Sequence, residues 1–298
     1  MLYKIRPNLV HFPFFNVPIF YFGRFIVTIH DITMHKFTGG EATTRSPVRY
    51  MIWRFGYFTA FATAVHASKQ IIVPSKFVRD EITDYYNIGK DKIVVTYEGV
   101  DDAIKVTAKE NVLEKYKIKH PYFIYSGSAY PHKNLETAIK AIKILNDKGK
   151  KVLLVITSSR TVFTQRILKS AEEIGAKGYV KHIGFVSDSD LASLYNNSLA
   201  YVYPTLSEGF GLPGLEAMSA STLVIASDIK VLREVYGDSA IFFDPNSTAD
   251  LVKVMNKVIE LSADKREEYT KKSKGFIKKY SWEKMTKETI KSYSFCCK

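Results

Sequence analysis

Two glutamates, Glu208 and Glu216, bracket the seven-residue segment Gly209-Phe210-Gly211-Leu212-Pro213-Gly214-Leu215. Carboxylates accept hydrogen bonds from hydroxyl groups, so a pair set across a turn suits a polyhydroxylated ligand. The glycines leave room for backbone to approach such a ligand, and Pro213 suits the first turn of a helix. Helix starts present N–H groups that favour anions, so phosphate fits the same segment. Glu208 precedes the turn and Glu216 lies on the emerging helix, so both address one crevice, one at a sugar and one at a ribose. Taken singly, each glutamate is equally at home as an exposed or capping residue. Gly209, Gly211 and Gly214 also satisfy G-x-G-x-x-G, the dinucleotide-binding pattern of nicotinamide-dependent oxidoreductases. That match stands late in the chain, and glutamates on both sides of it would crowd a pyrophosphate with like charge.

Two further places carry chemistry. Lys133 follows the apolar run YFIYS (122–126) and a Gly127-Ser128 turn, which aims a point charge at a crevice edge suited to a diphosphate. His30 and Asp31 end the run FIVTI (25–29) and project from a strand's carboxyl edge. Asp188 and Asp190 match a capping segment at a helix start and no D-x-D pair sits in a metal loop, so no metal is expected.

The elements that must position these groups are parallel strands alternating with helices. β-rich runs occur at 25–29, 70–73, 93–95, 122–126, 152–156, 199–203, 222–226 and 240–243. Between them, 134–147, 161–173, 214–220 and 247–261 carry apolar residues at helical intervals, as in Leu135, Ala138, Ile139, Ile142 and Leu145. The pattern predicts α/β architecture, with ligands at the carboxyl ends of the strands. The polar stretch 101–121 separates two domains: 1–116, with about three strands, and 117–278, with a full doubly wound set. A helix over 279–298 is expected to pack back on the first domain.

The chain has 298 residues and a formal charge of +13, from 43 Lys and Arg against 30 Asp and Glu. That excess suits nucleic acid, an anionic membrane surface, phosphorylated substrates, or simply solvated helices such as Lys265 to Lys279. Cys296 and Cys297 are the only cysteines, adjacent at the carboxyl end, which excludes a disulfide framework and fits a reducing, cytoplasmic setting. No apolar run of membrane-spanning length and no signal peptide is expected. Residues 47–66 combine Tyr50, Trp53, Phe55, Tyr57, Phe58 and Phe61 with Arg49 and Arg54. Such a helix either packs inside the first domain, the reading preferred here, or touches an anionic bilayer.

The E-x₇-E spacing in SEGFGLPGLEAM resembles the signature of glycosyltransferase family 4, retaining nucleotide-sugar transferases of the GT-B fold. TIHDI (28–32), IIVPSKFVRDEI (71–82), VVTYEGVD (94–101), YSGSAYPHKNLETAI (125–139), HIGFVSDSDLASLY (182–195), VIASDIKVLREVYGDSAIFFDP (224–245) and YSWEKM (280–285) follow in family order, most like the mannosyl-transferring branch. The resemblance implies two Rossmann-like doubly wound domains facing a cleft. Donor binding falls to Gly127, Ser128, Lys133, Glu208, Gly209, Phe210, Gly211, Leu212 and Glu216. Lys133 would meet the diphosphate, Glu216 the ribose and Glu208 the transferred sugar, with His30 facing the reacting sugar and Asp31 either supporting it or contacting the acceptor. His132 stands where many members have arginine. The implied activity is metal-independent transfer of a hexosyl group, with no cofactor beyond the donor, to a glycan or lipid-linked acceptor. Peripheral contact with the inner membrane surface goes with such an acceptor, and nucleic acid is not an expected partner. The resemblance also implies an incomplete first domain, short of a strand and a glycine-rich loop. That expectation admits an alternative: an impaired remnant or subunit that binds nucleotide sugar and needs a partner subunit or a second copy.

Overall fold

The computed structural model describes residues 2–38, 43, 45–100 and 111–297, and residues 101–110 of the expected interdomain stretch lie outside them. The chain forms two compact units. Unit 1 comprises Met1–Gly99, Glu208–Phe210 and Tyr280–Lys298, and unit 2 comprises Val100–Ser207 and Gly211–Lys279.

Unit 1 holds strands β1 (Val10–Phe12), β2 (Phe25–Thr28), β3 (Gln70–Val73) and β4 (Ile93–Val95), parallel and in the order β1-β2-β3-β4. Every residue of β2 and β3 is buried, as expected of Val- and Ile-rich strands covered on both faces. β1 was not among the expected strands. Its three residues, VHF, are only half-buried at the sheet edge, so they lack the apolar run that marks the others. The helices before and between the strands are α1 (Leu2–Ile5), α2 (Thr33–Lys36), α3 (Pro47–Ala67) and α4 (Lys76–Tyr86). Pro47 opens α3, and Tyr57, Phe61, Ala64 and Val65 make one buried stripe against Phe25, Val27, Ile71 and Val73, which realises the packing reading for that side of the helix. Beneath α3 lies His35, bonded at 2.7 Å to the Tyr57 hydroxyl and at 2.8 Å to that of Tyr86. Burial, aided by the Arg54 charge, pushes this imidazole down to about 4.

Unit 2 contains β5 (Tyr122–Ser126), β6 (Leu153–Thr157), β7 (Val180–Gly184), β8 (Ala200–Tyr203), β9 (Val224–Ser227) and β10 (Ile241–Phe243). All pair in parallel, in the order β10-β9-β8-β5-β6-β7. Its helices are α5 (Val112–Lys115), α6 (Leu135–Asp147), α7 (Val162–Glu173), α8 (Asp188–Asn196), α9 (Leu212–Ser219), α10 (Lys230–Tyr236), α11 (Thr248–Ile259) and α12 (Ala263–Ile277). The strand order reverses direction between β5 and β8, which makes their carboxyl ends the topological switch point where α/β sheets bind ligands. In the expected capping segment Ser187 is the cap of α8, accepting from the Asp190 N–H, while the Asp190 carboxylate pairs with Lys115 Nζ at 2.8 Å and accepts from the Tyr116 hydroxyl at 2.7 Å, fastening α5 to α8. The last helix, α13 (Trp282–Cys296), belongs to unit 1, where the Tyr293 hydroxyl and His11 Nδ1 lie 2.7 Å apart. Among the described residues no helix is long and apolar enough to cross a membrane.

Candidate functional site

In unit 2, the loops after β5 and β8 leave neighbouring strands. Gly127 continues β5 at φ +131°, a conformation that favours glycine, and its N–H bonds the Thr157 carbonyl at 3.1 Å. The Tyr125 hydroxyl donates to the Ser128 carbonyl at 2.6 Å and folds the loop back over the strand end. A single 3₁₀ turn, Pro131–Lys133, then ends on Asn134 at φ 55°, a residue type that tolerates the left-handed region. Asn134 is held by its amide donating to the Pro245 carbonyl at 3.0 Å and by Thr137 Oγ1 donating to its Oδ1 at 2.8 Å. The His132 carbonyl accepts from the Leu206 N–H at 2.7 Å and from Thr205 Oγ1 at 3.2 Å, so the loop bearing Lys133 is tied to the loop after β8. Lys133 Nζ lies 5.8 Å from the centroid of the Tyr203 ring, at the end of β8.

The second loop runs into α9 through Gly211, at φ +102°. The sequence suggests that these glycines make room for a ligand. The structure gives each a protein neighbour instead. A side chain at Gly211 or Gly214 would meet Tyr236, whose hydroxyl donates to the Gly211 carbonyl at 2.5 Å. Leu212 begins α9, two residues earlier than the apolar periodicity indicates, because Pro213 fills the first turn and Gly211 serves as its cap. Half-buried Glu216 sits one turn on. Tyr195 is pushed upward chiefly by burial, with the Glu216 charge adding to it, and its hydroxyl is 2.6 Å from Ser126 Oγ at the end of β5. Gly127, Ser128, Lys133, Gly211, Leu212 and Glu216 therefore gather around one pair of strand ends in unit 2.

Unit 1 collects the remainder. His30 follows β2, and its Nδ1 is 3.0 Å from Glu98 Oε1, with the side chains 42% and 11% exposed. The hydrogen bond to Glu98 raises the imidazole above its usual value; burial opposes this, and the Glu98 charge, the Pro13 carbonyl and Asp31 reinforce it. Asp31 Oδ1 accepts from the Thr33 N–H at 2.7 Å, at the start of α2, which is a local structural use of that carboxylate. Gly209 belongs to this group: a side chain there would strike the His30 carbonyl and Asp31 Cβ. Ser75 Oγ, fully buried, donates to the Gly209 carbonyl at 2.8 Å while accepting from the Val78 N–H at 3.2 Å as the cap of α4. Phe210 packs edge-on against Tyr280 at 5.4 Å and lies 6.1 Å from Tyr97. The structure thus brings Gly209 against His30, and Glu208 and Phe210 fall in the same unit. Sequence reasoning missed Glu98 and Ser75. Both lie in segments quoted for the resemblance, but nothing in their spacing announces a bond to His30 or to Gly209.

Comparison with known proteins gives two family matches: glycosyl transferases group 1 over residues 108–276, and glycosyltransferase family 4 over residues 1–104. The chain is similar to the O-antigen chain mannosyltransferase B of Escherichia coli, 32% identical over 295 residues that cover 97% of this chain and 74% of the relative. It superposes on the crystal structure of a glycosyltransferase from Rickettsia africae with TM-score 0.76 at 18% identity, covering all of this chain and 79% of that one. Anabaena Alr3699/HepE, solved in complex with UDP and glucose, matches with TM-score 0.73 at 15% identity over 91% of this chain and 72% of that one.

Proposed function

The chain belongs to the glycosyl transferases group 1 family, with two Rossmann-like units of the GT-B fold, and from that premise we propose that it transfers a mannosyl group from a nucleoside diphosphate sugar to a glycan or lipid-linked acceptor. The observation that carries the reading is the bonding of the Lys133 loop to the β8 loop at the switch point of unit 2, through the His132 carbonyl. Lys133 neutralises the departing diphosphate, aided by the first N–H groups of α9. Glu216 accepts hydrogen bonds from the ribose hydroxyls, and Glu208 from those of the transferred sugar. His30, held by Glu98, meets the reacting sugar. Transfer with retention on one sugar face lets the leaving phosphate take the acceptor proton, so the side chains work by positioning and by stabilising charge, without a metal. The relative's printed name supports mannose as the sugar and an O-antigen glycan as the acceptor class, and the reading keeps the cytoplasmic setting that the cysteine usage suggests.

Calorimetric titration of the intact chain against a panel of nucleoside diphosphate sugars tests this. One donor is expected to bind, and Glu216→Ala to weaken it by about 1–3 kcal/mol, the cost of a lost hydrogen bond to a charged group. Binding of none of them overturns the reading. Unchanged affinity in Glu216→Ala overturns the ribose assignment.

A further inference from the structure

Tyr280 stands immediately ahead of α13. Ser281 caps that helix, its Oγ accepting from the Lys284 N–H at 3.4 Å, so Tyr280 is carried by a fixed helix start. The Tyr280 side chain is 3% exposed, yet it lies outside the cluster around Phe61 and Ile71 that forms the core of unit 1. It packs edge-on against two other rings of the same unit, Phe210 at 5.4 Å with the planes at 86° and Tyr97 at 5.7 Å with the planes at 73°. Phe210 and Tyr97 in turn lie 6.1 Å apart. Edge-to-face contacts at these separations are the favoured geometry of aromatic pairs, so the three rings hold the backbones that bear them.

Each of those backbones leads to a residue of the candidate site. Phe210 follows Glu208 and Gly209. Gly209 has no room for a side chain against the His30 carbonyl, and Ser75 Oγ donates to its own carbonyl at 2.8 Å. The segment is therefore seated at Gly209 and gripped at Phe210, itself 3% exposed. Tyr97 precedes Glu98, whose carboxylate bonds His30. On the other side of Glu98, a side chain at Gly99 would strike the backbone nitrogen of Trp282, the first residue of α13. Glu98 is thus flanked by two contacts with the start of one helix. A buried ring shared by both segments and outside the main core sets where each of them sits.

We propose that Tyr280 is a positioning residue of the transfer reaction, seating the Glu208–Gly209 segment through Phe210 and holding the Glu98 carboxylate on His30 through Tyr97. What the segment meets rests on the proposed transfer, whereas the coupling of Tyr280 to His30 does not. The start of α13 then governs recognition of the sugar, and the nucleotide, assigned to Lys133 and Glu216 in unit 2, is held without it.

The His30 ring resonance, assigned by its loss in His30→Gln, is followed against pH in the intact chain and in Tyr280→Leu, Tyr97→Leu and Tyr280→Phe. In the wild type Glu98 raises this titration first, the Pro13 carbonyl and Asp31 add to it, and the Phe14 ring lies 6.5 Å away. Both leucine variants should move it to lower pH, because the carboxylate loses its seat, and Tyr280→Phe, which keeps the ring, should restore the wild-type curve. Against the panel of nucleoside diphosphates and their sugars, the leucine variants should weaken the sugar-bearing donor roughly tenfold, the equivalent of one hydrogen bond, and leave the sugar-free diphosphate unchanged. Should Tyr280→Leu fail to fold, Tyr97→Leu decides, since Tyr97 is only half-buried. The proposal is overturned if the folded leucine variants titrate His30 as the wild type does, or if Tyr280→Phe shifts it as far as Tyr280→Leu. It is equally overturned if donor and bare diphosphate weaken alike. Binding of no member of the panel overturns the transfer reading alone, and the titration still decides the coupling.

Discussion

His30 and Glu98 stand 68 residues apart in sequence and share a hydrogen bond of 3.0 Å. Glu98 is 8% exposed, so its carboxylate gives up much of its hydration and recovers that loss through a charged partner. The bond fixes the imidazole plane and raises its affinity for a proton. Glu98→Gln keeps the size and the acceptor oxygen but removes the charge. The His30 titration, followed by proton resonance of the ring, should therefore begin above the ordinary histidine value in the wild type and move to lower pH in the variant. With the proposed reaction, kcat should fall roughly ten- to a hundredfold, the equivalent of one hydrogen bond to a charged group, while donor affinity stays as it was. An unmoved titration would remove Glu98 from any role at His30. The contribution to stability has a definite sign. A folded-state value raised above the unfolded one stabilises unit 1 fully below the ordinary histidine range and ceases to do so as pH rises through the folded value.

Element by element, the strands that bury completely were plain in the sequence. QIIV and YFIYS coincide with β3 and β5, because Val, Ile and aromatic runs bounded by turns leave little choice. β7, with VKHIG only half-buried at the sheet edge, carries no such run and emerged from the structure alone. The E-x₇-E segment was legible as a motif, but the division of its residues was not. Gly209 packs with His30 and Ser75 while Gly211 and Gly214 pack with Tyr236, and contacts of this range leave no local periodicity. Gly214 shows the consequence. Glycine to alanine inside a helix ordinarily stabilises by about 0.5–1 kcal/mol. Here the new methyl would overlap the hydroxyl and ring carbon of Tyr236, a fully buried side chain with no room to retreat. Gly214→Ala should therefore destabilise the protein by about 1–3 kcal/mol, the usual cost of overpacking, and weaken donor binding by disturbing the start of α9. Tyr236→Phe, which loses the hydrogen bond to the Gly211 carbonyl and keeps the ring, should cost about 1 kcal/mol. Thermal melts of the two variants separate these effects, and a Gly214→Ala protein as stable as the wild type would show that Tyr236 yields.

Taken as a whole molecule, two units with separate cores need not answer acid together. Unit 1 contains His35, buried between Tyr57 and Tyr86, whose folded-state value of about 4 lies below the 6.5 of a free histidine. Between those two values the unfolded chain binds a proton that the folded chain refuses, so stability is lost as pH falls through that window. The shift is worth about 3 kcal/mol when complete. His11, also in unit 1, is lowered by burial and acts in the same direction, while the His30 contribution is already complete at the top of the window. In unit 2 the resolved acid-sensitive groups are carboxylates. Asp190 is held low first by Lys115 and then by Tyr116, and Asp228 by Arg233, so their contributions vanish only below the ordinary aspartate value of 3.8. Unit 1 is therefore expected to unfold at a higher pH than unit 2. Proteolysis at graded pH, with fragments identified by mass, should show cleavage within residues 2–99 near pH 5 while β5 to β10 remain protected. Simultaneous cleavage of both units would place the acid-sensitive step elsewhere than His35.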